Sequence, residues 1–382
     1  MTPSVKRRAR WLLPLTLLAL VWLSFSRPAY APPPPANVRA RLNYLERIIR
    51  EGGGPGTALG KLTQQNPEWG LFTLSFTTYA LTNLAQQNPA LRPEAAHYIA
   101  LAIQAVLAAP LRHPFAAGWP LPGQPAGLDS LPPSVLYLGH LNLMLGCHRQ
   151  LKPASPYGPL HDALSAALYR RYAQEPAGNL ASYPGRRWLP DNTVALASLA
   201  LHGRLTGSPY AAGRRWAARA RAHWLDAETG LLASQVNEGG KTSEGPRGSM
   251  LGWSIWFLVG VDSAFARQQY QRYQAASSTN LGVVRLYREQ PGDYHTGAGD
   301  VDSGPLILGY GIPATAFACA DAVALSDGRN AQRLRRVIHL GSREIVENNE
   351  LRYGVRFIDL DVSPLSEALL LWAEVPGEPG PP

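Results

Sequence analysis

The chain has 382 residues, 46% of them hydrophobic and 16% charged, a balance that predicts a globular protein with a substantial core and excludes a largely disordered one. Its formal charge of +9 does not point to nucleic acid, because Lys6, Arg7, Arg8, Arg10 and Arg27 supply five of those charges in an acid-free segment. The remainder carries only about +4, too little for a polyanion-binding surface.

In chain order, residues 5–10 are basic and Trp11 to Phe25 are an apolar run. Ala29-Tyr30-Ala31 then has the small-x-small form of a signal-peptidase site. The expectation is an export signal over residues 1–31: either a cleaved signal peptide or, since Pro32 would follow the cut, a retained membrane anchor through residues 11–26. Both place the body of the chain in a periplasmic or other extracytoplasmic space. Residues 32–36 read as a stiff polyproline spacer, 37–375 as the folded domain and 376–382 as a disordered tail.

From Asn37 onward the periodicity is helical, with almost no strand alternation. Amphipathic, charged helices are predicted at 37–51, 93–109, 158–174, 209–225, 263–277 and 330–346. Helices apolar on nearly all sides, and therefore buried, alternate with them at 70–88, 132–151, 190–206, 247–261, 303–325 and 364–374. The buried set recurs every 55 to 62 residues or so, the mark of a repeated outer–inner helix pair. Six such pairs predict an all-α, (α/α)6 toroid, with an open α-solenoid as the alternative.

Parallel inner helices would open all their N-termini on one face, and the loops before them hold the unusual residues. The stretch Tyr294-His-Thr-Gly-Ala-Gly-Asp-Val-Asp-Ser-Gly-Pro-Leu306 carries Tyr294, His295, Asp300 and Asp302. Asp191 and Glu244 lie before or at the start of other inner helices. Asp191 and Asp302 are the first candidates for an acid–base pair, because a low-polarity cavity can hold one carboxyl protonated and another ionised. Capping of the inner helices is the competing role for both. Trp119, His140, Tyr183, Arg187, Trp188, Asn192, Arg247 and Trp253 are candidates to line the cavity and bind a substrate. Cys147 and Cys319 fall in apolar helical patterns and are expected to be buried as small hydrophobes. His140 and His148 lack a neighbouring ligand set, and no phosphate loop, dinucleotide fingerprint or nucleophile elbow is present, so neither metal nor cofactor is expected.

Residues 182–192, Ser-Tyr-Pro-Gly-Arg-Arg-Trp-Leu-Pro-Asp-Asn, resemble a segment of the linalool dehydratase-isomerase family, with Pro184, Trp188 and Asn192 on the pattern. Ser182 and Asp191 stand where that family has two active-site cysteines. Gly139-His-Leu-Asn-Leu-Met-Leu-Gly146 is similar to the family's second inner helix. The resemblance implies an (α/α)6 barrel and cofactor-free hydration, dehydration and isomerisation chemistry. Three functions follow as expectations. The first is a lyase or isomerase acting on a hydroxylated small molecule. The second is a glycoside hydrolase or polysaccharide lyase acting on an oligosaccharide, possibly acidic. The third is a non-catalytic envelope binding or scaffold protein.

Overall fold

The structure, a computed structural model, describes residues 33–209, 211–292, 299–356, 360–375 and 377. Its α-helices are, in chain order, α1 (Pro35–Glu51), α2 (Ala58–Gln65), α3 (Pro67–Gln87), α4 (Arg92–Leu107), α5 (Ala109–Ala116), α6 (Val135–Leu151) and α7 (Gly158–Gln174). They continue as α8 (Leu189–Thr206), α9 (Ala212–His223), α10 (Gly248–Leu258), α11 (Ser263–Ser277), α12 (Ile312–Ala324), α13 (Gly328–Gly341) and α14 (Pro364–Glu374). The inner helices α3, α6, α8, α10, α12 and α14 each pack on the next, and α14 packs back on α3. The ring is closed, which decides for the toroid over the open solenoid. The outer layer is α1, α4, α7, α9, α11 and α13, each followed by its inner partner.

Why the inner helices are inner is visible in their side chains. From Val135 to His148 every residue of α6 is buried, as a helix apolar on all sides requires. Where two inner helices meet, glycine permits the approach: a Cβ added at Gly139 would lie 3.0 Å from the Ala195 Cβ. The barrel axis is filled by aromatic rings rather than left open. Phe76 packs 4.8 Å from Trp372 and 5.0 Å from Trp253, and Phe317 lies 5.4 Å from Trp253. Such edge-to-face contacts add to the area these rings bury.

The first and last of these helices meet in a charged lock. Arg41 of α1 is buried, 2.5 Å from Glu374 and 3.6 Å from Glu367, both on α14. Arg335 of α13 reaches the other oxygen of Glu374 at 2.9 Å. The cysteines are buried and unpaired, as expected. Cys147 lines a cavity of about 160 Å³ at the C-terminal ends of the inner helices, with Tyr79, Thr82, Arg204 and Trp256. Among the described residues no single helix is long and apolar enough to cross a membrane. The leader-like residues 1–31 and the acid–base candidates Tyr294 and His295 lie outside the described residues.

Three expectations need correction. Short strands are present after all, in four small antiparallel sheets, all of whose strands lie in loops that lead into inner helices. β1 (Arg187–Trp188), β2 (Gln235–Val236) and β3 (Thr242–Glu244) form one, and β4 (Ser278–Asn280) with β5 (Arg285–Tyr287) another. β6 (Gly299–Asp300), β7 (Gly304–Ile307) and β8 (Tyr310–Gly311) form the third. The fifth inner helix therefore begins at Ile312, not near 303. Leu308 and Gly309, both at positive φ, make the two-residue turn of a hairpin there. The last outer helix stops at Gly341, because residues 342–347 are β9 (Ser342–Glu347). β9 pairs with β10 (Glu350–Val355) through a turn at Asn348 and Asn349, and β11 (Leu360–Asp361) completes the fourth sheet.

Candidate active site

The N-terminal ends of the inner helices share one face, and there the chain gathers carboxylates. On α3, Asn66 caps the helix by accepting from the Glu68 backbone N–H, which frees the Glu68 side chain. Residues four apart share a helix face, so Glu68, Phe72 and Phe76 descend from the mouth toward the aromatic floor. Asp191 sits in the first turn of α8, but its helix has no side-chain cap. Asp302 lies in the turn between β6 and β7, ten residues before α12. Neither carboxylate caps a helix, so the capping role weighed for both is set aside.

Asp191 is 6% exposed, and its Oδ2 has no hydrogen-bond partner among the described residues. Burial pushes its carboxyl up to about 8; a hydrogen bond from Ser182 opposes this, and the charges of Glu68 and Asp302 reinforce it. Ser182 and Asp191, the pair standing at the two cysteine positions of the resemblance, are thus in contact. Glu68 is pushed up to about 7, by burial and then by Asp302. Asp302 is also raised by burial, although 36% of its side chain is exposed, while Arg247 pulls it down and Asp300, Glu244 and Glu289 push it up. The charges of these three carboxyls thus act on one another, with Asp191 pushed up further than Glu68, the kind of separation that proton transfer needs.

Arg247 organises the acidic groups on the far side. Its guanidinium is buried and lies 2.7 Å from Asp300, 3.0 Å from Glu289, 3.3 Å from Glu244 and 3.8 Å from Asp302. Glu289 in turn accepts from the Ser249 backbone N–H at 3.0 Å and from its hydroxyl at 2.6 Å, which satisfies an orphan donor at the start of α10. Burial would raise Asp300, but the Ser303 backbone N–H and Arg247 hold it below the usual carboxylate range. It accepts from the backbone N–H groups of both Asp302 and Ser303, and so fixes the turn that presents Asp302.

The remaining sequence candidates divide. His140 and Trp253 line the axis beneath the mouth with their rings 5.6 Å apart, and Phe72 lies 5.2 Å from His140. Among the described residues the buried His140 Nε2, Trp253 Nε1 and Tyr183 hydroxyl have no hydrogen-bond partner. Burial lowers His140 to about 3, so its ring is neutral, and its Nδ1 shares a 3.0 Å hydrogen bond with Tyr79. Trp188 packs half-buried at the start of α8, its backbone N–H donated to the Ser182 hydroxyl.

Three candidates are instead consumed by the fold. Asn192 donates to the carbonyls of Leu180 and Trp188 and accepts from the Leu180 N–H and the Tyr172 hydroxyl. That is its full hydrogen-bonding capacity, so it clamps the loop to α8 rather than facing a ligand. The Trp119 indole N–H is shared by the carbonyls of Gln124 and Ala126. Arg187 is held by Glu175 at 2.9 Å and by the carbonyl of Asn179. Sequence reasoning missed Glu68 and Glu289. The Asn66-Pro67-Glu68 run marks only a helix start for the first, and nothing local marked the second.

No protein-family model matches the chain. Solved structures of the same architecture do resemble it. An unsaturated glucuronyl hydrolase from Bacillus sp. GL1 superposes with a TM-score of 0.55 at 14% identity, over 89% of this chain and 97% of that one. The α-1,6-mannanase GH76A of Salegentibacter sp. HEL1_6 gives 0.51 at 11% identity, over 86% and 98%. A heparin-specific unsaturated glucuronyl hydrolase gives 0.50 at 13% identity, over 87% and 96%. At such identities the likeness establishes the (α/α)6 toroid and nothing finer.

Proposed function

We propose that this protein is an enzyme that cleaves glycosidic bonds in an oligosaccharide, with Asp191 donating a proton to the leaving oxygen and ionised Asp302 serving as base toward water. The observation that carries this reading is the buried Asp191 carboxyl, protonated at neutral pH, with one oxygen unpartnered and two further carboxyls close enough to shift it. Toroids that resemble this one include hydrolases of sugars, which favours that substrate class. Of the arginines at this face, Arg187 and Arg247 are engaged by acidic partners, Asp302 among those around Arg247. This supports a neutral sugar over a uronic acid. Aromatic surface at Phe72 and Trp253 suits the apolar face of a sugar ring.

A second reading keeps the same proton donor. Contact between Ser182 and Asp191, at the positions where the family resemblance has its cysteines, favours a cofactor-free dehydration or isomerisation of a hydroxylated small molecule. A scaffold role loses its particular support, since neither Asp191 nor Asp302 caps a helix. The basic and apolar leader supports action outside the cytoplasm.

The test is product analysis by mass spectrometry. The full chain is incubated separately with neutral oligosaccharides, unsaturated uronyl oligosaccharides and terpene alcohols, beside Asp191→Asn. Cleavage of a neutral sugar, lowered by about 10²–10⁴ in the variant, is the expected result. Turnover of a terpene alcohol alone moves the second reading to the front. Sugar cleavage that survives Asp191→Asn overturns the assignment of the donor.

A further inference from the structure

At the end of the barrel opposite the carboxylates, His161, Asp162 and His202 come together. The first two lie in the opening turns of the outer helix α7 and the third in the last turns of the inner helix α8. One donor atom from each lies within 4.8 Å of the other two. The imidazole rings are 4.9 Å apart, and the His202 Nε2 is 2.8 Å from an Asp162 oxygen.

His161 is 0% exposed, and neither of its ring nitrogens has a hydrogen-bond partner among the described residues. Buried polar side chains are nearly always satisfied, and one that is not bears its desolvation cost without return. Against it lies Gly146 of α6: a Cβ there would sit 3.2 Å from the His161 Nε2, so the glycine leaves room for the ring. Asp162 is 51% exposed and opens the cluster to solvent. Two imidazoles and a carboxylate, with room for a fourth ligand from water, are the donor set of tetrahedral zinc.

We infer that His161, Asp162 and His202 bind a divalent transition metal of the zinc type, which ties the outer helix of the third hairpin to its inner partner. The ion would coordinate the imidazole that the protein leaves unpaired and replace the His202–Asp162 hydrogen bond with two metal bonds. Arg149 of α6, 2.5 Å from Asp162, competes for the same carboxylate in the metal-free protein. A chain scan for ligand spacing does not see this site, because its members come from two helices some forty residues apart in sequence. The site is remote from the carboxylate mouth, so it stands or falls independently of the proposed reaction.

The experiment uses the full chain after chelation and dialysis, titrated with Co²⁺ followed by absorption and with Zn²⁺ followed by calorimetry and melting. Expected are one equivalent per chain, a tetrahedral Co²⁺ spectrum displaced by Zn²⁺, and a melting temperature that rises with free Zn²⁺. His161→Ala removes packing together with a ligand, so Asp162→Asn and His202→Gln are the deciding variants. Each should weaken Zn²⁺ binding by about 100-fold or more, at least the loss seen when groups supporting a metal ligand are removed. Arg149→Gln removes the competing cation and should tighten binding by about two- to fivefold. Absence of saturable uptake by the unmutated chain overturns the proposal, and so does uptake that Asp162→Asn and His202→Gln both leave unchanged.

Discussion

Asp191 sits in the first turn of a buried helix, a place that serves equally for a cap and for an acid, and its own environment decides between them. Buried, with Oδ2 unpaired, it favours the neutral form, so its carboxyl rises from the ordinary value near 4 to about 8. A raised carboxyl contributes stability that is fully present below its unfolded pKa and is lost as pH climbs through the folded value. Asp191→Asn, which does not titrate, should therefore gain melting temperature over the unmutated chain as pH rises from 5 to 9, with little difference near pH 4. Calorimetric melts across that range would check it. Activity that needs the protonated acid should fall above about pH 8, and a pH–rate profile lacking that limb would remove Asp191 from the donor role. Asp191 was legible in the sequence because it opens an apolar helix. Glu68 was not: in a first turn, an acid after Asn-Pro reads as an ordinary partner for the helix dipole. Its significance depends on Asp302, which lies more than two hundred residues away.

At the scale of elements, the toroid was readable because its buried helices are apolar on every side and recur at a steady interval. The sheets were not, because strands of two to six residues between glycines are too short to display alternation. The stretch before α12 shows the difficulty: its apolar Leu306, Ile307 and Leu308 resemble the start of a helix, yet they form a hairpin with Leu308 at φ 53. A left-handed leucine, 77% exposed, is unfavourable, and Leu308→Asn should stabilise by up to about 1 kcal/mol in chemical denaturation. Between α10 and α12 the constraint is steric. A Cβ at Gly252 would lie 2.7 Å from the Cβ of Phe317, so Gly252→Ala should cost about 1–3 kcal/mol despite alanine's better helix propensity. Denaturation of the paired Leu308→Asn and Gly252→Ala proteins would show opposite shifts in midpoint at an unchanged slope.

For the whole molecule, the lock between α1 and α14 matters more than any single hairpin. Burial would raise Glu374, but Arg41, His339 and Arg335 hold it down to about 2. The sign is opposite to that of Asp191: this contribution is present above the ordinary glutamate range and is lost only as pH falls through about 2. Arg41→Met leaves Glu367 buried without its ion-pair partner, and Glu374 with only Arg335 and His339, and should cost about 3–5 kcal/mol. Hydrogen exchange should then rise first in α1 and α14, while uniform loosening of all hairpins would argue that closure is not carried by this lock. None of this was foreseeable from local pattern, because Arg41 and Glu374 are 333 residues apart.

The rings of Phe76, Trp253, Phe317 and Trp372 have a consequence for traffic as well as for packing. They block the barrel axis, so it is not a tunnel. A guest that enters among the carboxylates must leave by the way it came, and a long polymer cannot be threaded through. If the guest is a glycan, it must approach Asp191 from that face alone.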